Sequence, residues 1–363
     1  MPPPVKAYEN FRSAMIAYEQ NLRAIGRAES TISSAENVFK LFTLFMLEKN
    51  ETKWDHEEGF TDIQAWRDDL IRQGKKQTTI RQYLKILSSF YCFASSEKMG
   101  DNRWYTQNPV SGFLIPDTRK QDKRPYAQFL TDDQVMLLWR NNPPVRSGPT
   151  VTWARNYAIV IMLLSTELRN SELLALTPND LDWEHSELIV EHGKGDKFRS
   201  VEFPKIAQTA VRLYLLSGLR PDYAGMNEPL FGTEALSKYG GGDNQKQTAW
   251  HAGSRQWLSE LVCRHVKSVT GVDNIRTHDL RHVGARLDLN SGMKFEELQS
   301  KLGHESVTVT QIYSGKLTSR RSRQKTKMVM EEKERQANRN LARLEAAGDD
   351  FFARLRTRKP EIA

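Results

Sequence analysis

Residues 154–176 read ARNYAIVIMLLSTELRNSELLAL, and the predicted fold follows from this stretch and the residues after it. The apolar run over residues 154–164 predicts a buried helix. A short polar stretch at 165–169 ends that helix, and a second helix is predicted from Ser171. Charged and hydroxyl groups cost free energy when they are buried without bonding partners. This polar junction between two apolar helices is therefore a candidate site.

A strand pattern follows the second helix. Leu188 and Val190 have the two-residue spacing of a strand, as do Val201 and Phe203, and the turn sequence GKGD lies between them at 193–196. Together with residues 181–183, these segments predict a small three-stranded antiparallel sheet. The fold class expected for the whole chain is therefore mainly α with a small antiparallel β-sheet.

The chain divides into segments of different composition. Residues 1–115 carry apolar stripes at helical spacing and predict a helical domain. Residues 116–128 are polar and basic and predict a linker. The sequence TDDQ at 131–134 has capping-box spacing and opens a second domain, predicted over 129–315. Residues 316–363 form a basic C-terminal tail with too few apolar residues for a core of its own.

The positive charge is unevenly distributed. The chain has 363 residues and a formal net charge of +8, from 53 Lys and Arg against 45 Asp and Glu. From residue 316 onward there are 14 basic and 7 acidic residues, so the remainder is nearly neutral. Because phosphate binding needs a basic face rather than a basic total, net charge alone points only weakly to nucleic acid.

Several classes of protein are unsupported by the sequence. No apolar run reaches the length of about 18 residues that suggests a membrane span, and the first residues, MPPP, do not resemble a secretion signal. The two cysteines, Cys92 and Cys263, lie in apolar helical patterns and are predicted to be small buried residues. Two lone thiols suit a reducing compartment, so a cytoplasmic location without membrane attachment is expected.

Common cofactor motifs are also missing. His278 and His282 have the spacing of a zinc-binding helix, but Asp279 stands where a metalloprotease has its glutamate, and a third ligand is not evident. The sequence GKG at 193–195 lacks the upstream glycine and the hydroxyl residue of a phosphate-binding loop. The sequence therefore predicts neither a metal nor a nucleotide cofactor.

Six polar residues in apolar surroundings are the candidate site residues. Taken singly, each is more readily a packing residue, a salt-bridge partner or a solvated side chain than a functional group. Their common order along the chain is what makes them a set. The candidates are Arg169, Lys194, His278, Arg281, His304 and Tyr313.

These residues fall in four short motifs: TELRNSEL at 166–173, GKGDKFR at 193–199, THDLRH at 277–282, and LGH at 302–304 followed by IY at 312–313. In this order and spacing they resemble the conserved motifs of the tyrosine recombinases, the phage-integrase and Xer-like family. The resemblance implies a helical core-binding (SAM-like) DNA-binding domain at 1–115 and an α+β catalytic domain at 129–315. It also implies double-stranded DNA as the substrate, a homotetramer on two DNA sites, and directionality or accessory proteins as further partners.

The resemblance assigns the central chemistry to three residues. Tyr313 would attack a phosphodiester and form a 3′-phosphotyrosine intermediate, which keeps the bond energy and requires neither ATP nor metal. Arg169 and Arg281 would bind the non-bridging oxygens, because a guanidinium donates two parallel hydrogen bonds. Glu172, one turn after Arg169, is predicted to fix an arginine or a histidine in place.

The remaining candidates would move protons or add hydrogen bonds. A phenol with a pKa near 10 must lose its proton during attack. His278 is the favoured acceptor of that proton, and His304 would add a hydrogen bond. Lys194 is favoured over Lys197 as the donor to the departing 5′-oxygen.

The sequence departs from the family pattern at two places. Glu167 stands where the family has a small residue, commonly glycine, and adds a carboxylate beside Arg169. Residues 283–285, VGA, are a loose version of the run after the second arginine. Neither departure removes a reactive group.

Two other functions use the same motifs. A type IB topoisomerase-like enzyme would nick and close one duplex with the same chemistry. A DNA-binding module could keep the motifs without activity. Part of the tail after residue 315 is expected to dock on a neighbouring protomer or on DNA.

Overall fold

A computed structural model describes residues 5–48, 59–96, 104–110, 112–116, 130–141, 151–190, 199–221, 224–236, 248–303 and 320–346. The contacts divide the chain into two compact units, Met1–Pro125 and Tyr126–Ala363. The division falls inside the linker predicted at 116–128, of which only residue 116 is described. The domain boundaries given by the sequence therefore stay predictions.

The first unit is a helical domain with an aromatic core. The rings of Phe11, Phe39 and Phe90 meet with centroids 5.0–6.4 Å apart, mostly edge to face. Such pairs add to the stabilisation that burial of the rings provides. Gly74 follows the third helix with φ +72°, the left-handed conformation that glycine adopts without strain, and ends that helix. The helices are α1 (Val5–Ala24), α2 (Glu29–Glu48), α3 (Gly59–Arg72) and α4 (Gln77–Ala94), followed by a 3-10 turn at Gly112–Leu114.

The second unit is built around one apolar helix, α6, which contacts α8, α9 and α10. Residues 158–163 of α6 are completely buried, so the helix forms the centre of the core that its apolar run predicts. The capping box at Thr131 and Gln134 is present and begins α5, which confirms that prediction. None of the described helices is long and apolar enough to cross a membrane. The helices are α5 (Asp132–Arg140), α6 (Val151–Thr166), α7 (Asn170–Ala175), α8 (Lys205–Leu216), α9 (Arg255–Thr270), α10 (Thr277–Ser291), α11 (Phe295–Leu302) and α12 (Arg320–Ala346), with a 3-10 turn at Pro178–Asp180.

The predicted three-stranded sheet is confirmed. Strands β1 (Leu181–Asp182), β2 (Glu187–Val190) and β3 (Arg199–Glu202) pair in that order, all antiparallel, with Leu188 opposite both Leu181 and Val201. A second, two-stranded sheet of β4 (Gly232–Leu236) and β5 (Thr248–Ala252) was not predicted. The sequence shows only a glycine-rich excursion there, because GTEAL and TAWHA contain one β-branched residue each and give no strand pattern.

Helix α12 lies within the second unit, although its sequence is strongly polar. It contacts α5, α8 and α10. Val329 and Leu344 are completely buried, as is Asn340, whose amide lies 3.4 Å from the Tyr157 hydroxyl and 3.5 Å from the Thr209 hydroxyl. Buried polar groups need partners, and α6 and α8 supply them. The described part of the tail is thus docked on its own chain, while docking of residues 347–363 on DNA or a second protomer stays a prediction.

The cysteines are less buried than predicted. Both are free thiols, but Cys92 is exposed and Cys263 is only partly buried, so the prediction that both are buried is wrong. Each apolar helical pattern places its strongest residues inward and leaves the thiol at the edge of the stripe. Asn108 Nδ2 lies 3.1 Å from the Cys92 sulfur.

Docking of α12 gives a testable consequence for stability. Leu344→Ala should lower the free energy of unfolding by about 2–5 kcal/mol, because it leaves a cavity between α12 and the body of the unit. Met328→Ala on the same helix is the control, since Met328 is 56% exposed, and it should change stability by less than about 0.5 kcal/mol. Denaturant unfolding measures both, and equal effects of the two variants would contradict the docking of α12.

Candidate active site

Arg169 lies at the N-terminus of α7, at the junction that the sequence marks as polar. Its backbone N–H donates to Glu172 Oε2 at 2.7 Å, and its Nη1 donates to Oε1 of the same carboxylate at 2.7 Å. A carboxylate in the first turn of a helix that accepts from the residue before the helix stabilises that terminus. The prediction that Glu172 fixes an arginine is confirmed.

Arg199 is a second cation on the same carboxylate, and the sequence analysis missed it. Its Nη1 and Nη2 donate to Glu172 Oε1 and Oε2, both at 2.8 Å, in the two-pronged geometry that suits a guanidinium. Burial by itself would raise the pKa of Glu172, but hydrogen bonds from Arg199 and Arg169 outweigh burial and lower the pKa to about 2. Glu172 is therefore ionised at every physiological pH. Arg199 lies in the quoted motif at 193–199, which was the available signal.

The second arginine motif reaches the same place from α10. Arg281 is 2% exposed, and its Nη1 donates to the carbonyl oxygen of Glu167 while its Nη2 donates to the carbonyl oxygen of Leu302 at 2.7 Å. The Nη2 of Arg169 donates to the next carbonyl oxygen, that of Gly303, at 2.7 Å. Both predicted arginines thus converge on the last two carbonyl groups before His304.

His278 occupies the second position of α10 and is classed as exposed, although part of its ring is buried. This partial burial lowers the pKa of His278, and the positive charges of Arg281 and Arg169 lower it further. The charge of Asp279 has the opposite effect. Because the ordinary value is 6.5, the ring is mainly neutral at pH 7. A neutral imidazole beside two guanidiniums is able to accept a proton.

Three of the six candidates lie outside the described residues: Lys194, His304 and Tyr313. Their neighbours in the sequence are described. Arg199 follows the segment that contains Lys194, and Gly303 precedes His304 directly. The structure thus brings together Arg169, His278 and Arg281, and the other three assignments stay predictions.

Behind the arginines lies a buried charge cluster that the sequence analysis did not predict. Lys301 Nζ contacts Glu167 Oε1 at 3.0 Å and also pairs with Asp288. Burial, and then the charge of Asp288, raise the pKa of Glu167 to about 8 despite the opposing effect of Lys301. Burial opposes the charge of Lys301, but the two carboxylates outweigh burial and raise the pKa of Lys301 above its usual range. Glu167 lies in the first motif, but Asp288 and Lys301 lie outside all four motifs and more than 100 residues further along the chain, so no local signal could have grouped the three.

The described residues do not suggest a metal centre. Among them, no group of three or more His, Cys, Asp or Glu side chains lies close enough to hold a metal ion. The rings of His278 and His282 lie 4.9 Å apart, centroid to centroid, and pack edge to face.

Removing the charge of Glu172 should destabilise the fold. Glu172→Gln leaves two largely buried guanidiniums without their counter-charge and should lower the free energy of unfolding by roughly 3 kcal/mol at pH 7. Since the folded pKa of about 2 lies below the ordinary 4.5, the stabilisation by Glu172 is present above about pH 4.5 and is lost as the pH falls towards 2. The difference between wild type and variant should therefore narrow over that range.

Denaturant titrations from pH 7 down to pH 3 measure this difference. Glu187→Gln is the control, because Glu187 is an exposed carboxylate on β2. An equal loss of stability in the two variants, or a difference that does not change with pH, would contradict the role given to Glu172.

Sequence comparisons identify relatives that cover most of the chain. Residues 128–320 match the model of the phage integrase family. Tyrosine recombinase XerC of Bacillus licheniformis is 32% identical over 258 residues, which cover 70% of this chain and 76% of the relative. Tyrosine recombinase XerC of Bacillus pumilus is 30% identical over 284 residues, which cover 78% of this chain and 85% of the relative.

Solved structures share the fold. The Tn1549 transposon integrase in complex with circular intermediate DNA is 19% identical, with a TM-score of 0.56, and the match covers 83% of this chain and 94% of that one. A lambda integrase dimer bound to a COC′ core site is 18% identical, with a TM-score of 0.55, over 85% of this chain and 95% of that one. The family match, the identity to XerC proteins and the convergence of the two arginine motifs agree: this chain belongs to the phage integrase family and is a tyrosine recombinase.

Proposed function

We propose that this recombinase cuts and rejoins double-stranded DNA at specific sites, with Tyr313 as the nucleophile and a 3′-phosphotyrosine intermediate. The observation that carries the proposal is the meeting of Arg169 and Arg281 at the carbonyl groups of Leu302 and Gly303. Two guanidiniums beside the residue that precedes His304 form the kind of positive pocket that a phosphate needs.

The charge of the described site suits the reaction. The site has three guanidiniums, those of Arg169, Arg199 and Arg281, and the carboxylate of Glu172 binds the first two. His278 is mainly neutral. Two positive charges therefore remain. A phosphodiester carries one negative charge and gains a second as the phenolate oxygen attacks, so a site with two positive charges stabilises the transition state more than the ground state.

His278 and Lys194 transfer the two protons of the reaction. The Tyr313 oxygen forms its bond to phosphorus while the bond from phosphorus to the 5′-oxygen breaks. His278 accepts the phenol proton, which its lowered pKa permits at pH 7. Lys194 donates a proton to the departing 5′-oxygen, and a 5′-hydroxyl from a partner strand reverses the step. The bond energy stays in the phosphotyrosine ester, so neither ATP nor a metal ion is required.

The start of α4 is the proposed DNA-contacting surface of the first unit. The exposed lysines there are Lys75, Lys76 and Lys85. Arg81 is half-buried, and its Nη1 donates to the Pro116 carbonyl oxygen at 2.6 Å. Exposed lysines near a helix N-terminus suit phosphate contacts. Assembly as a homotetramer on two DNA sites, accessory partners and a cytoplasmic location also belong to the proposal.

Covalent capture tests the nucleophile. A duplex nicked just beyond the cleavage site loses the short 5′-hydroxyl fragment after attack and traps the protein on DNA. Wild type and the control Tyr18→Phe should form the adduct, whereas Tyr313→Phe should form none, because it lacks the attacking oxygen. Denaturing gels with a chelator present and ATP absent measure the adduct. An adduct that persists in Tyr313→Phe would contradict the assignment.

Exchange between two duplexes separates recombination from nicking and closing of one duplex. Two linear substrates of different length that carry the same cleavage site should give joined products of two new lengths. A supercoiled plasmid with one site serves as the comparison, since relaxation needs no partner duplex. Relaxation without any exchange would contradict recombination by this chain.

A further inference from the structure

Glu167 adopts a backbone conformation that glycine normally occupies. Its φ is +51°, in the left-handed region, which explains why a small residue is common at this place in the family. The side chain is fully buried, so an ionisable group stands in a strained backbone position inside the core. Such a costly combination calls for a compensating interaction.

The side chain of Glu167 contacts α11. Oε1 lies 3.0 Å from Lys301 Nζ, and the same ammonium pairs with Asp288 and lies 3.3 Å from the Ser165 carbonyl oxygen. Lys301 is itself only 9% exposed. The acid beside Arg169 therefore pairs with a lysine, whereas the guanidinium of Arg169 has Glu172 as its counter-charge.

Gly284 on α10 leaves the space that the Glu167 side chain occupies. A Cβ atom at Gly284 would lie 2.8 Å from Glu167 Oε1, 2.9 Å from its Cγ and 2.4 Å from the Leu164 carbonyl oxygen. A larger residue at 284 would therefore displace the carboxylate. The two departures of this sequence from the family pattern, at 167 and at 283–285, form one steric unit.

Three contacts hold the last residues of α11 to this region. Lys301 binds the Glu167 carboxylate, Leu302 accepts from Arg281 through its carbonyl, and Gly303 accepts from Arg169 in the same way. Arg281 also donates to the Glu167 carbonyl oxygen. Glu167 thus contacts both α10 and α11, and its bond to Lys301 adds a third link to the two that the arginines make with the end of α11.

We propose that Glu167 is a positioning residue that, through Lys301, holds the end of α11, directly before His304, against Arg169 and Arg281. The proposal rests on the proposed function, since its consequence is faster DNA cleavage. The phosphate-binding arginines remain in place without Glu167, so DNA binding does not depend on it.

Cleavage and binding measured separately test the proposal. Glu167→Gln and Lys301→Met should each slow single-turnover adduct formation at saturating DNA by at least about tenfold, because displacement of reacting groups by about 1 Å costs that much or more. The dissociation constant for DNA should stay within about twofold. The double variant should be no slower than the slower single variant, because both changes remove the same contact.

Lys294→Met is the matched control. Lys294 is an exposed lysine at the start of α11 without a side-chain capping bond, so its loss should leave the rate within about twofold. Rates are normalised to the folded fraction, because a merely structural role would lower the amount of active protein and leave the rate constant unchanged. Glu167→Gln keeps the size of the side chain and guards against failure to fold.

Hydrogen exchange gives a readout that is independent of activity. The Gly303 amide donates to Ser300 in the last turn of α11, and its exchange should be faster in both single variants while α9 is unchanged. Unchanged cleavage rates, or unchanged exchange at Gly303, would overturn the positioning role. A wild-type protein that forms no adduct would overturn the proposed function instead, and the exchange result would still decide the role of Glu167.

Discussion

The carboxylate of Glu172 is the interaction on which the site depends. It is completely buried and accepts four hydrogen bonds, from the main chain and guanidinium of Arg169 and from both terminal nitrogens of Arg199. Two guanidiniums in a largely buried position repel each other strongly unless an anion lies between them. Glu172 therefore allows the guanidiniums of Arg169, at the start of α7, and Arg199, on β3, to lie close together. The positive charge that Glu172 does not neutralise attracts a phosphate.

Arg169 and Arg281 are oriented mainly by main-chain oxygens, and this matters for catalysis. A carbonyl group fixes a guanidinium through its dipole without cancelling its charge, whereas a second carboxylate would cancel it. Arg281 is held by the carbonyls of Glu167 and Leu302, and Arg169 by that of Gly303 as well as by Glu172. The site is thus ordered before DNA arrives and still carries a net positive charge, which is the condition for electrostatic stabilisation of a transition state.

Local patterns predicted most of the fold, and the order of the motifs led to Arg169, His278 and Arg281, which the structure brings together. The buried helix at 154–164 and the strands of the first sheet can be predicted because periodicity is a property of neighbouring residues. Glu167 and Lys301 are 134 positions apart, and no sequence pattern near either residue predicts their contact. Arg199 is an intermediate case. It lies inside a recognised motif, but the motif does not predict its hydrogen bonds to Glu172.

Helix α12 begins at residue 320, where the match to the family model ends. It nevertheless contributes to the charge balance behind the site. Lys333 on α12 interacts electrostatically with Asp288 and Glu167, while burial and the charge of Lys301 lower the pKa of Lys333. The charge of Lys333 lowers the pKa of Glu167, so without α12 that pKa would lie above the value of about 8 that it has with α12 docked. The docked helix and the ionisation of Glu167 therefore favour each other, which couples a segment outside the shared catalytic region to the residue that orders the end of α11.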